Sequence, residues 1–325
     1  MSRFINNPPL GIFFIVVGMV CISIQDVLIK MLSATYPLHQ IILIRSVVGV
    51  TVCLGILQFE GGFRKLRTDH FKLHLLRGFL LFLANMFFFC ALAAMPLAEA
   101  TTLFFVAPLF ITVLSATFLG EKVGVRRTLA LAVGFSGIVL TAWPHITYNT
   151  YQISGLTIAL PLVAALAYAA MNVLTRSLGV TESASVLAIY VQGLLMFISL
   201  CFWVLVGDGD YSQNFDSKSA QFLLRAWVYP AYGDIKFFIG CGVTSAFIGY
   251  SISQAYRVSS PVILAPFEYI ALPLAIMWGW LIWGDFPTKW TWFGILLIVG
   301  AGIYVFAREK KLGRSFSPKR LLPRW

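Results

Sequence analysis

Charged residues are scarce in this chain. Asp, Glu, Lys and Arg together make up 11% of its 325 residues, whereas soluble domains carry roughly 25% of these four types. Hydrophobic residues, in contrast, amount to 59% of the chain. The composition therefore argues against a soluble fold and predicts that the lipid bilayer is the solvent for most of the protein.

The sequence also lacks the short motifs of nucleotide, metal and hydrolytic chemistry. It contains no P-loop Gly-Lys pattern, no HExxH pair and no Gly-x-Ser-x-Gly elbow, which argues against ATP hydrolysis, metalloprotease chemistry and serine-hydrolase chemistry within this chain. His70 and His74 have a metal-like spacing, but no third ligand lies beside them. We therefore predict no metal site, no cofactor and no enzymatic activity. A membrane-embedded enzyme is the less favoured alternative, because it would need clustered Asp, His or Glu at an interface.

Long apolar stretches, in contrast, recur along almost the whole chain. Each has about 20 residues and is long enough to cross a hydrocarbon core of roughly 30 Å. Gly, Pro and charged residues separate these stretches. The sequence therefore predicts an all-α integral membrane protein with ten transmembrane helices, near residues 10–32, 38–58, 74–94, 97–119, 127–143, 155–177, 184–206, 236–256, 261–283 and 289–307.

The net charge of +11 is unevenly distributed between the connecting segments. Most Lys and Arg lie in segments that face the cytoplasm if both termini are cytoplasmic, and few lie in the opposite loops. This bias follows the positive-inside rule, so we predict cytoplasmic termini. A basic tail at 309–325 is expected to contact anionic lipid. The charge thus indicates membrane lipids, and not nucleic acid, as partners.

The two halves of the chain resemble each other. Residues 118–121 (FLGE) match 282–285 (IWGD), and Pro108 and Pro273 fall within one residue of equivalence. A unit of five helices is an odd number, so the second unit must enter the membrane in the opposite sense. We therefore predict two inverted five-helix repeats, at 1–148 and 149–308, an architecture that recurs in secondary transporters.

A series of short motifs extends over nearly the whole chain. These motifs are residues 23–26 (SIQD), Lys30, Pro37, Gln40, Arg45, 76–78 (LRG), 96–100 (PLAEA), 107–110 (APLF), 118–121 (FLGE) and 265–269 (APFEY). Through them the chain resembles the EamA-like branch of the drug/metabolite transporter superfamily. The resemblance implies a ten-helix carrier in the bacterial inner membrane, with a central cavity between the repeats.

The resemblance also implies the class of cargo. The family's substrates include amino acids, nucleosides, S-adenosylmethionine and riboflavin. The Gln-Asp, Leu-Arg-Gly and Pro-Phe-Glu-Tyr motifs are most similar to those of uptake systems for cofactor-like molecules. A small polar metabolite such as riboflavin or S-adenosylmethionine is therefore the expected cargo, and export of amino acids or other metabolites is the alternative.

Ionisable and polar side chains inside the predicted spans are the candidates for substrate binding or ion coupling. A charge at the bilayer centre costs roughly 2.5 to 3.5 kcal/mol, so it needs a partner, a water-filled cavity or a function. The candidates are Asp26, Lys30, Arg45, Asn85, Tyr168, Asn172, Gln192, Glu268 and Tyr269.

Several of these candidates have more than one interpretation. Asp26 and Lys30 lie one helical turn apart, so they could pair with each other or contact the substrate. Arg45 could bind a carboxylate or phosphate of the cargo, or lock Asp26 or Glu268. Glu268 could be a proton-linked or gating carboxylate, or a structural acid. The neutral polar residues could equally form hydrogen bonds between helices.

Two further features leave alternatives open. The loop at 208–236 could be a lid over the entrance or an interfacial segment. Glycines in two predicted helices could allow close packing within the protein or between two copies in a homodimer. These glycines are Gly134, Gly137, Gly294, Gly300 and Gly302.

Overall fold

The computed structural model describes residues 7–68, 71–119, 125–148, 155–178, 183–214, 217–259, 264 and 267–311. Within these ranges the protein is helical and contains no β-strand. The α-helices are α1 (Pro8–Leu32), α2 (Leu38–Glu60), α3 (Phe71–Ala94), α4 (Leu97–Phe104), α5 (Ala107–Leu119), α6 (Val125–Tyr148), α7 (Gly155–Leu178), α8 (Ala184–Val206), α9 (Lys218–Leu224), α10 (Ile235–Val258), α11 (Ala271–Trp278) and α12 (Lys289–Lys311).

Among the described residues, six helical segments are long and apolar enough to cross a membrane. They are Pro8–Leu32, Leu38–Glu60, Phe71–Ala94, Gly155–Asn172, Ala184–Val206 and Tyr232–Ala255. Four shorter apolar helical segments accompany them: Leu97–Ile111, Leu129–Pro144, Ala271–Trp283 and Lys289–Tyr304. The all-helical, multi-pass character predicted from composition is confirmed.

The segment predicted as one helix over 97–119 is interrupted in the structure. Helix α4 ends at Phe104, a turn follows at Phe105 and Val106, and α5 begins at Ala107. Pro108 explains the interruption, because proline has no N–H to donate to the carbonyl four residues earlier and its ring disfavours helix at the preceding residues.

The segment predicted as one helix over 261–283 is interrupted in the same way. A turn at Tyr269 and Ile270 precedes α11, and Pro273 stands in the first turn of that helix. From Gly279 to Trp283 the backbone continues as a π-helix. Residues 260–263 and 265–266 lie outside the described residues.

Helices α6 and α12 pack at very short distance because glycines face each other. A Cβ added to Gly137 would lie 2.9 Å from the Gly294 carbonyl oxygen, and one added to Gly294 would clash with Thr141 Oγ1. Helices in lipid associate through such close backbone contact, which needs small residues at the interface. These glycines therefore serve packing within the chain, whereas Gly300 faces open space.

Residues 217–234, which we call the cover segment, lie across the ends of α1, α2 and α3. Its hydrogen bonds to these ends are Ser219 Oγ to the Cys90 carbonyl (2.7 Å), Arg225 Nη1 to the Ala34 carbonyl (2.8 Å), Val228 N to Gln40 Oε1 (3.2 Å), Gln40 Nε2 to the Val228 carbonyl (2.6 Å), Ala231 N to Tyr36 Oη (2.9 Å) and Tyr36 Oη to Asp234 Oδ2 (2.7 Å). The segment is thus fastened to the bundle, although the rings of Tyr229 and Tyr232 project outward.

The glycine packing predicts a difference between two substitutions on α12. Gly294→Ala should lower the free energy of unfolding by about 1 to 3 kcal/mol, because overpacking forces the two helices apart. Gly300→Ala is the matched control and should leave the unfolding midpoint in detergent unchanged or slightly higher, because alanine favours helix. Equal midpoints for the two variants would contradict the packing described here.

Candidate functional site

An acidic and a basic side chain are both buried in the bundle and interact electrostatically. Asp26 lies in the second half of α1, and Arg45 lies two turns into α2. Their side chains are 6% and 1% exposed. The two charges are close enough to interact electrostatically, but in the described part of the chain they form neither a direct ion pair nor a hydrogen bond with each other.

The guanidinium group of Arg45 has few direct contacts of its own. It lies over the ring of Phe89 in α3, 5.3 Å from the ring centroid, and near Cys241 of α10. Its Nε and Nη1 atoms are buried and have no hydrogen-bond partner among the described residues. Buried donors of this kind are rare in folded proteins, because each lost hydrogen bond is costly. The geometry therefore leaves two donors available to a ligand.

A second polar group lies at the turn that precedes α11. Glu268 interacts electrostatically with Tyr269 beside it and with Tyr168 of α7. Tyr269 is 8% exposed, and its hydroxyl has no partner among the described residues. The tyrosine reaches this position because α12 carries a glycine there, and a Cβ added to Gly302 would clash with the hydroxyl.

Aromatic rings connect the two polar groups. Phe89, which contacts Arg45, lies 5.7 Å from Phe88, and Phe88 lies 5.0 Å from Phe104. Phe104 in turn lies 5.4 Å from Tyr168. We call these four residues the aromatic row. Ring centroids at 4.5 to 7 Å are in favourable contact, so the row is a continuous series of ring contacts from α3 through α4 to α7.

Lys30 belongs to neither group. Its ammonium donates to the carbonyls of Leu92 (3.1 Å) and Met95, and it lies 5.3 Å from the ring centroid of Trp283. Pro96 cannot donate to the Leu92 carbonyl at the usual helical position, so the ammonium takes that place. No ion pair joins Lys30 to Asp26 in the described residues, and its position indicates a structural role between α1 and the end of α3.

The neutral candidates are spread over several contacts. Gln192 donates from Nε2 to Ser245 Oγ, which joins α8 to α10. Asn172 donates to the Tyr168 carbonyl (2.9 Å) within α7. Asn85 is half-buried on α3, one turn before Phe89. The structure therefore brings Tyr168, Glu268 and Tyr269 together, and places Gln192 in a hydrogen bond between helices.

Sequence reasoning missed the aromatic row. The chain contains 28 phenylalanines, and nothing in their spacing separates rings that face the interior from rings that face lipid. The one available signal was the spacing of Asn85 and Phe89, which places both on one face of α3.

The first part of the chain is similar to a known protein family. Residues 9–143 match the EamA-like transporter family. The predicted resemblance is confirmed, and Asp26, Lys30, Arg45 and Asn85 all fall within the EamA-like region.

Individual relatives extend the similarity beyond that region. It is 29% identical over 281 residues to a riboflavin transporter of Vibrio cholerae, covering 86% of each chain. It is 24% identical over 301 residues to an S-adenosylmethionine uptake transporter of Rickettsia prowazekii, covering 93% of this chain and 94% of the relative. It is 26% identical over 304 residues to the pseudopaline exporter CntI of Pseudomonas aeruginosa, covering 93% and 97%.

A solved structure shares the fold along almost the full length. The two chains are 16% identical with a TM-score of 0.63, and the match covers 93% of this chain and 98% of the other. The helical arrangement described above therefore has a counterpart that includes the residues beyond the EamA-like region.

The position of Lys30 predicts that its loss affects stability. Lys30→Met removes the ammonium from the two carbonyls and should lower the free energy of unfolding by about 1.5 to 3 kcal/mol, as for other hydrogen bonds to charged groups. The control is Lys289→Met, an exposed lysine whose ammonium lies 6.0 Å from the Trp290 ring centroid; its unfolding midpoint should hardly move. Unchanged stability in Lys30→Met, combined with lost ligand binding, would instead make Lys30 a cargo contact.

Proposed function

We propose that this protein is a secondary transporter that moves a small polar metabolite across the bacterial inner membrane by alternating access. One observation carries the proposal: the two interrupted helices meet at their turns. Phe105 stands in the turn between α4 and α5, Tyr269 stands in the turn before α11, and their ring centroids are 5.5 Å apart. Helix α11 also packs against α4.

Interrupted helices are typical of transporter binding sites. A turn inside a membrane exposes backbone N–H and C=O groups, which is tolerated where the backbone lines a cavity or is buried in protein. In secondary transporters, paired interruptions in corresponding positions of two repeats point to the substrate site near the bilayer midplane. Here both turns precede prolines that the sequence repeat places within one residue of equivalence. The cargo site therefore lies, in this proposal, beside these turns and along the aromatic row.

The proposed architecture is two inverted five-helix repeats, at 1–148 and 149–308, with ten spans. The first repeat would comprise α1, α2, α3, the interrupted α4–α5 and α6, and the second α7, α8, α10, the interrupted segment that includes α11, and α12. The most extensive helix pairs fit this scheme. In this scheme α1 corresponds to α7 and α3 to α10, so the α1–α10 pair in one sense is the α7–α3 pair in the other. The pairs α2–α8 and α6–α12 each join two corresponding helices. The proposal keeps both termini cytoplasmic, with the basic tail at 309–325.

The proposed cargo is a cofactor-like molecule, and the proposed direction is uptake. Relatives named as transporters of riboflavin and S-adenosylmethionine support this class. Both compounds contain an aromatic heterocycle, and the aromatic row offers the stacking surface that such a ring needs. The relative named as an exporter keeps export as the alternative direction.

Counterflow in proteoliposomes tests the proposal directly. Vesicles loaded with unlabelled riboflavin or S-adenosylmethionine and diluted into the labelled compound should accumulate label saturably, and protein-free vesicles should not. Accumulation with neither compound would reject the proposed cargo class. A panel of amino acids and nucleosides under the same conditions would then separate a carrier of another metabolite from a protein that does not transport.

The carboxyl group between two tyrosines predicts a change in pH dependence. Glu268→Gln keeps the shape of the side chain but removes its ionisation, so uptake should fall at least about tenfold, which corresponds to about 1.4 kcal/mol, and should no longer vary with external pH. Asp208→Asn, an exposed acid in the loop after α8, is the control and should leave the pH profile unchanged. Undiminished and equally pH-dependent uptake by Glu268→Gln would assign Glu268 a structural role.

A further inference from the structure

We infer that the cargo carries a carboxylate beside a cationic or hydrogen-bond-donating group, as an amino-acid tail does, and that Arg45 receives the carboxylate. The inference rests on the proposed transport function and narrows its cargo class. It starts from the two unpaired donors of Arg45, which lie on a side chain that is 1% exposed.

Two other cationic side chains of the protein do have hydrogen-bond acceptors. Lys30 donates to the carbonyls of Leu92 and Met95, and Arg225 donates from Nη1 to the carbonyls of Ser33 and Ala34. Arg45 has no such carbonyl among the described residues, although its Nε and Nη1 are buried. Donors without a hydrogen-bond partner on a buried cation cost more free energy than an ordinary unmade hydrogen bond, because the charged group is desolvated as well.

The geometry of guanidinium selects the ligand. Its donors lie in one plane and form two edges that match the two oxygens of a carboxylate, Nε with Nη2 and Nη1 with Nη2. Hydrogen bonds to the group lie in this plane, and the ring of Phe89 covers one face at 5.3 Å. A carboxylate at either edge accepts from one of the two unpartnered donors and from Nη2, and the other donor takes a second acceptor.

Asp26 determines what must accompany the carboxylate. Asp26 is 6% exposed and interacts electrostatically with Arg45 from α1. Whether ionised or protonated, its carboxyl group has an oxygen that accepts a hydrogen bond. A ligand that carries an ammonium or another donor beside its carboxylate can therefore bond to Asp26 and Arg45 together, which favours an amino-acid-like group over a simple anion such as inorganic phosphate.

The aromatic row determines the rest of the molecule. It begins at Phe89, whose ring lies against the guanidinium of Arg45, and it continues through Phe88 and Phe104 to Tyr168. A ligand with its carboxylate on Arg45 can extend along this surface and stack an aromatic ring on it. Among the compounds considered above, S-adenosylmethionine has both parts, whereas riboflavin has the ring without the carboxylate.

The test compares ligands that differ in one group. Dissociation constants of the purified full-length protein are measured by thermal shift and by calorimetry for S-adenosylmethionine, decarboxylated S-adenosylmethionine, adenosine and riboflavin. The carboxylate should tighten binding about 10- to 100-fold over the decarboxylated compound, the usual effect of a charge-assisted hydrogen-bonded pair. In Arg45→Gln this ratio should fall to about one. Arg225→Gln, whose guanidinium already bonds to carbonyls, is the matched control and should keep the ratio.

The remaining variants separate ligand recognition from folding. Arg45→Lys keeps the charge without the fork, so it should retain a preference for the carboxylate at reduced affinity, and it replaces Arg45→Gln if that variant does not fold. Equal affinity for the carboxylated and decarboxylated compounds, or an unchanged ratio in Arg45→Gln, would overturn the inference. Saturable riboflavin counterflow without binding of any adenosine compound would also overturn it while leaving the transport function intact. Loss of counterflow for every metabolite tested would reject the transport function itself.

Discussion

A lipid bilayer offers no water to replace a missing backbone hydrogen bond, and this constraint explains the sites where the helices of this protein end or break. Each proline removes one backbone donor and leaves the carbonyl four residues earlier without its usual partner. For Pro96 this carbonyl belongs to Leu92, and it accepts a hydrogen bond from the ammonium of Lys30 instead. For Pro37 the carbonyl belongs to Ser33, and it accepts from the guanidinium of Arg225 (3.4 Å).

Two other prolines follow turns inside the bundle, where we propose the cargo site. Before Pro108 and Pro273 the chain turns, and the two turns lie against each other through Phe105 and Tyr269. The glycine at position 302 gives Tyr269 room beside α12. Cations thus bond to the carbonyls left free by Pro37 and Pro96, whereas aromatic rings lie at the turns before Pro108 and Pro273. The second arrangement leaves polar groups available to a cargo.

The cover segment adds a connection between the two proposed repeats. It follows α8 and leads into α10, which belong to the second repeat, yet its hydrogen bonds go to the ends of α1, α2 and α3. A movement of one repeat relative to the other would therefore have to carry this segment with the first repeat or break these bonds. The reciprocal bonds of Gln40 with Val228 favour movement as one unit with α2.

The sequence predicted helix positions well because the length of an apolar stretch is itself a physical measure of a membrane-crossing segment. It also selected Arg45, Asp26 and Glu268, since ionisable groups in apolar stretches are conspicuous. It did not predict which partner each would find. Lys30 was weighed as a partner of Asp26 because spacing within one helix is visible in sequence, whereas the carbonyls of Leu92 and Met95 are brought to it by tertiary packing. The aromatic row was hidden for the same reason, because its rings come from three helices.

Accessibility of Cys241 tests the central claim, which is that the buried charges of Asp26 and Arg45 lie in a site that opens to both sides of the membrane. Cys241 is fully buried and interacts electrostatically with both residues, and a variant without the other cysteines leaves it as the sole thiol. A small charged methanethiosulfonate reagent should modify it in right-side-out and in inside-out vesicles, and bound cargo should slow both reactions. Modification from one side only, or from neither side while denatured protein reacts fully, would contradict the account.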